Sequence, residues 1–132
     1  MLINITLEDY FNNRIKNLKC HKDTCAYITN TLCNYKNSVY DFQNKSLTLE
    51  FAEAKFESSI KKYNDLADYI LFMEIIFKGA LCGATPEYYH GLAQSAYYKT
   101  YILLNRSWKI YEELSDRLPE IIIQLRDEKP QA

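Results

Sequence analysis

The chain has 132 residues, of which 48% are hydrophobic and 25% charged, with a formal net charge of −1. This composition excludes a disordered or fibrous chain, and three glycines and three prolines leave too few turns for many short strands. Acids and bases are mixed along its length without a basic block, so the sequence carries no electrostatic footprint for nucleic acid and none is expected as a partner. The expected fold class is all-α: one helical domain over 1–132, a bundle of about six to seven helices, burying roughly two-thirds of the surface of the open chain.

In chain order, Thr6 is a good N-cap, with Glu8 and Asp9 in the first turn and an apolar stripe of Leu7, Tyr10, Phe11, Ile15 and Leu18. After "CHKD", Asp23 or Thr24 is expected to cap a second helix with Ala26, Ile28, Leu32 and Tyr35 facing inward. The polar run "NYKNSVYDFQNKS" reads as turns, pinned to the core by Val39, Tyr40 and Phe42. A short helix around 47–55 carries Leu47, Phe51 and Ala54.

A long central helix is expected over about 56–78, apolar around most of its circumference and ended by Gly79 and Gly83. Its stretch "LADYILFMEIIFKGAL", 66–81, is the most apolar in the chain. Asp68, Glu74 and Lys78 interrupt it, so it reads as a core helix and not a membrane span. Thr85–Pro86–Glu87 is a helix start, and that helix should run to about Leu104. Within it Gly91 and Ser95, and Leu92 and Ala96, are four apart, a spacing that would let a neighbouring backbone approach closely. Asn105 or Ser107 should open a last segment containing Trp108, Tyr111 and Leu114, which Pro119 kinks or divides before a frayed tail at 127–132.

The segments "AYITNTLCNY", "LADYILFMEIIFKGA", "EYYHGLAQSAYY" and "YEELSDRLPEIIIQL" resemble a family of uncharacterised all-helical bacterial proteins, mostly proteobacterial, over roughly residues 25–125. The matching residues are Asp68, Leu71–Phe72, Tyr88–Tyr89, Gly91 and Ala96–Tyr97, while Ala67 stands where that family usually has Gly. The resemblance implies a helical domain and no activity.

Residue chemistry narrows the reactions available. Glu87-x-x-His90 is half of a di-iron bundle motif, but no second E-x-x-H follows. Cys20, His21, Cys25 and Cys33 lack the paired spacing of structural zinc. No supporting motif surrounds Cys82 and His90 as a nucleophile and base. No metal or cofactor is therefore expected. The four cysteines read as free thiols and, with no signal peptide at "MLINITLEDYF", the expected location is cytoplasmic. Arg14 and His21 resemble the Arg–His pair of HEPN ribonucleases, although the spacer is six residues and the Asn precedes the Arg.

Two carboxylates fall inside the apolar central helix and need partners. Lys78, four residues on, is the local partner for Glu74, and a tyrosine hydroxyl of the following helix, Tyr89 or Tyr97, is expected on Asp68. The leading functional expectation is a non-catalytic protein that binds another protein or itself, with no membrane contact and a possible homodimer. Twelve tyrosines and one tryptophan exceed the needs of the core, and Tyr98, Tyr101, Trp108 and Tyr111 are the interface candidates. The alternatives are a small-molecule or metal pocket around Asp68, Glu74, Tyr89 and His90, or a HEPN-like ribonuclease.

Overall fold

The computed structural model describes residues 13–34, 42 and 44–126. Among them there is no strand: a helical turn at 13–15 precedes α1 (Lys22–Asn34), α2 (Leu47–Glu57), α3 (Ile60–Ile76), α4 (Pro86–Leu103) and α5 (Lys109–Arg126). The all-α expectation holds. The helix start at Thr6, the core positions Tyr35, Val39 and Tyr40, and the tail at 127–132 lie outside the described residues. No helix among the described residues is long and apolar enough to cross a membrane.

Local chemistry sets the helix ends. His21 opens α1, and its ring Nδ1 accepts from the Asp23 amide at 3.2 Å. The stretch expected as one helix from 56 to 78 is two elements. Ser58 adopts φ +50 and closes α2, and Ser59 is the N-cap of α3, its hydroxyl accepting from the Lys62 amide at 3.1 Å. A serine pair supplies both an exit and a new cap, which the apolar pattern running through it conceals. Thr85 caps α4, accepting from the Tyr88 amide at 3.1 Å, with Pro86 in the first turn. Asn105 and Arg106, both in the left-handed region, turn the chain from α4 into α5.

α3 lies at the centre. Every residue from Leu66 to Phe72 is buried, as are Glu74 and Ile75, and α2, α4 and α5 all pack on it. α4 presents Tyr89, Ala93, Ala96, Tyr97, Thr100 and Tyr101 inward. Fully buried alanines lie on both helices, Ala67 on α3 and Ala93 and Ala96 on α4. The expected Gly91–Ser95 groove is not buried with them. Ser95 is exposed, and a Cβ added at Gly91 would meet nothing within 4 Å. Gly91 is therefore a plain backbone-entropy cost inside a helix. Gly91→Ala is expected to raise unfolding stability by about 0.5–1 kcal/mol, read from urea denaturation midpoints.

α5 continues through Pro119 without dividing and buries Leu114, Leu118, Ile121, Ile122 and Leu125 at helical spacing. Pro119 has no N–H, so the Ser115 carbonyl loses its intrahelical donor. The side-chain amide of Gln94 takes that place, donating to Ser115 O at 2.8 Å, while the Ser115 hydroxyl donates back to Gln94 O at 3.1 Å. A missing hydrogen bond inside one helix thus becomes a reciprocal clamp between α4 and α5. Gln94→Ala should cost about 1 kcal/mol. In a Pro119→Ala background the restored N–H should remove most of that loss, giving a non-zero coupling in a double-mutant cycle of thermal unfolding.

Candidate functional site

Asp68, on the central helix, is reached by side chains from two other helices. Tyr97 of α4 donates to Asp68 Oδ1 at 2.6 Å, and Tyr27 of α1 lies 2.7 Å from the same oxygen and 3.0 Å from Oδ2. The Tyr27 hydroxyl is also 3.0 Å from Asn64 Oδ1. The three rings pack together: Tyr97 stacks on Tyr111 at 6.2 Å between centroids, and Tyr27 meets both edge-on at 6.5 and 5.5 Å.

Burial raises the Asp68 carboxyl to about 7, with the Tyr97 and Tyr27 hydroxyls opposing that rise. The tyrosines are pushed upward in turn, by burial first; the Asp68 charge is the next contribution for Tyr27 and Tyr97. A carboxyl whose folded value lies above its ordinary 3.8 binds its proton more tightly in the folded chain. Its contribution to stability is complete below about pH 4 and declines as pH rises through about 7. Wild-type stability minus that of Asp68→Asn should therefore fall between pH 4 and pH 8, measured by chemical denaturation across that range. A constant difference would contradict the buried-carboxyl assignment.

Glu74 belongs to a second, separate network. His90 Nε2 lies 2.7 Å from Glu74 Oε1, Arg126 Nη2 is 3.5 Å from Oε2, and Arg126 Nε donates to the Glu74 carbonyl at 2.5 Å. The expected Lys78 pairing is replaced: Lys78 is exposed beyond the end of α3, whereas His90 and Arg126 converge from α4 and α5 on a carboxylate that faces inward. Tyr89 joins neither network, donating instead to the Cys82 carbonyl at 3.4 Å. No buried side-chain nitrogen or oxygen among the described residues lacks a partner. Asp68, Glu74 and His90 line neither the cleft between α1 and α5, nor the one beside Tyr88 and Tyr89, nor the one beside Gly91 and Tyr98.

An opening of about 1010 Å³ lies between α1 and the segment 107–117. It contains His21, Asp23, Tyr27, Trp108, Glu113 and Arg117. Glu113 and Arg117 hold its edge. The His21 backbone amide donates to both Glu113 carboxylate oxygens at 3.1 and 3.2 Å. Arg117 reaches the Lys19 carbonyl, the Cys20 sulfur at 3.5 Å and Glu120 Oε2 at 3.1 Å. The Cys20 thiol is pushed up to about 11, by burial first and then by Glu113, against the opposing Arg117 charge. Cys25 is raised by the same leading causes, so neither is a ready thiolate at neutral pH. Arg14 is half-buried and His21 is exposed in this cleft. Among the described residues no group of three or more His, Cys, Asp or Glu could hold a metal ion.

The interface candidates divide. Trp108 and Tyr98 are 55% and 46% exposed, whereas Tyr101 is buried and Tyr111 is half-buried in the cluster around Asp68. The missed residue is Tyr27. Ala26, expected inward, is exposed, and the buried residues of α1 are Thr24, Ile28, Thr29, Thr31 and Leu32 with Tyr27 half-buried beside them. Three of the five are threonines, which hides the buried face from a count of apolar residues. Comparison with family models, curated proteins and solved structures finds no match, so the family resemblance in the sequence brings no activity or site residues to this chain.

Proposed function

We propose that this chain is a non-catalytic helical interaction protein that receives a basic polypeptide segment in the α1–α5 cleft. The observation that carries the reading is Trp108, the sole tryptophan, standing 55% exposed on the wall of that cleft. A tryptophan face attracts a guanidinium or ammonium group, worth about 0.5–1 kcal/mol at an exposed site.

The surrounding charge fits the same partner. Asp23, Glu112, Glu113 and Asp116 line the cleft against two cations, Lys109 and Arg117. Lys109 is engaged with Tyr101 and Glu112, and Arg117 with Glu113 and Glu120. A ribonuclease reading of His21 fits less well, because a phosphate backbone entering here would meet this carboxylate excess. Tyr27, at the cleft floor, is held from behind by Asp68, so one wall is fixed before any partner arrives.

Selective excitation of Trp108 gives a direct assay. Titration with an oligo-arginine peptide should produce a saturable emission change that weakens with added salt, and a Glu112→Gln, Asp116→Asn double variant should bind several-fold less tightly. No saturable response, or an equal response to oligo-glutamate, would overturn the reading.

A further inference from the structure

Tyr27 belongs to two places at once. It lines the cleft between α1 and α5, and its hydroxyl is within hydrogen-bond reach of the buried Asp68 carboxyl and of Asn64. A phenol has one proton to donate. Here that proton has two acceptors: the Asp68 carboxyl, at 2.7 and 3.0 Å, and Asn64 Oδ1, at 3.0 Å.

That choice lets Asp68 exist charged or neutral without a heavy atom moving. With the carboxylate ionised, the hydroxyls of Tyr27 and Tyr97 both donate to it. With a proton on Oδ2, the carboxyl donates to the Tyr27 oxygen at 3.0 Å, and Tyr27 turns its own proton to Asn64 Oδ1. Tyr97 goes on donating to Oδ1 at 2.6 Å. Every group is satisfied in both states, so neither carries the cost of an orphaned polar atom. The states differ by one negative charge behind a residue of the cleft wall.

From this arrangement we infer that Asp68 is a proton switch for the cleft: ionised, it strengthens capture of a cationic partner, and protonated, it weakens it. The inference rests on the peptide-capture reading and adds its regulation. Tyr27 from α1, Tyr97 from α4 and Tyr111 from α5 surround the carboxyl, and burial raises all three, so they keep their protons at neutral pH. Asp65, on α3 itself and paired with Lys61, adds a like charge that favours the proton on Asp68. Glu74, further along α3, is held by His90 and Arg126. Asp68 itself stands at about 7. A cation in the cleft favours its charged form, so affinity should rise as pH rises through about 7, and binding there should release protons.

Trp108 emission, titrated with an oligo-arginine peptide across a pH series in wild type and Asp68→Asn, tests the switch. Asn has the shape of the protonated carboxyl and can donate as it does. His21, Lys109, Arg117 and the cleft carboxylates are common to both proteins, so the difference between the two profiles isolates Asp68. From about pH 5.5 to about pH 8.5 the wild-type dissociation constant should fall roughly three- to tenfold relative to that of Asp68→Asn. Calorimetry near pH 7, in buffers of different ionisation enthalpy, should show wild type releasing more protons on binding than the variant. Tyr97→Phe, outside the cleft, removes a hydrogen bond that favours the charged form, so the midpoint of the pH dependence should move upward. Circular dichroism checks that both variants fold, and either one suffices for the test. Saturable binding with the same pH profile in wild type and Asp68→Asn, or a Tyr97→Phe midpoint that stays or falls, would overturn the switch and leave peptide capture standing. No saturable binding at any pH would remove the cleft reading and the switch with it.

Discussion

A carboxylate without bulk water around it is the constraint on which this bundle is arranged. Asp68 sits where α3 is covered on every side, and removing its charge from water costs several kcal/mol. Hydroxyls from Tyr27 and Tyr97 offset part of that cost, and the upward displacement of the carboxyl shows that burial still prevails. The node therefore contributes geometry more than stability at neutral pH. Hydrogen bonds are directional, so α1 and α4 must stand at one height and one rotation relative to α3 for both hydroxyls to arrive. The Tyr111 ring brings α5 to the same point, packed against the rings of Tyr27 and Tyr97.

Two further polar ties repeat the logic along the same helices. Glu74 gathers His90 from α4 and Arg126 from α5, and Gln94 completes the carbonyl that Pro119 leaves open. All three ties join faces that are already apolar and interdigitated, and all of their groups are satisfied by the chain itself. The residues with the most chemical potential on paper are thus occupied in holding the helices together. What faces outward is different in kind: an exposed tryptophan beside an acid-rich cleft, and an apolar stripe on α2. The acid-rich cleft is where the functional proposal rests.

Several elements were legible because their determinants are local. Thr85–Pro86 opens α4 because a hydroxyl cap and a proline in the first turn act within a few residues. The apolar crowding on 66–75 marks α3 as central. The Ser58–Ser59 break was missed because a continuous apolar pattern outweighed a two-residue cap signal. Gly91 has the spacing of a close helix contact, but nothing lies within 4 Å of a Cβ there, and the fully buried small residues of α4 are Ala93 and Ala96. Tyr101 and Tyr111 were expected on the surface because tyrosine suits both places, and composition does not say which ring turns inward.

Taken alone, the sequence determined that the chain is helical, where the strongest helix start lies, and that two acids would need partners inside an apolar helix. Those properties follow from contacts within about one helical turn and from the cost of burying charge, and both are written in neighbouring residues. Which groups answer the acids was decided only by tertiary packing. Glu74 takes His90 and Arg126 over the adjacent Lys78, and Asp68 takes Tyr27 from a helix 41 residues away in sequence. A buried carboxylate is paired by whatever donor the facing helices bring to it, and that depends on the rotation of each helix about its own axis, which spacing along one helix does not encode.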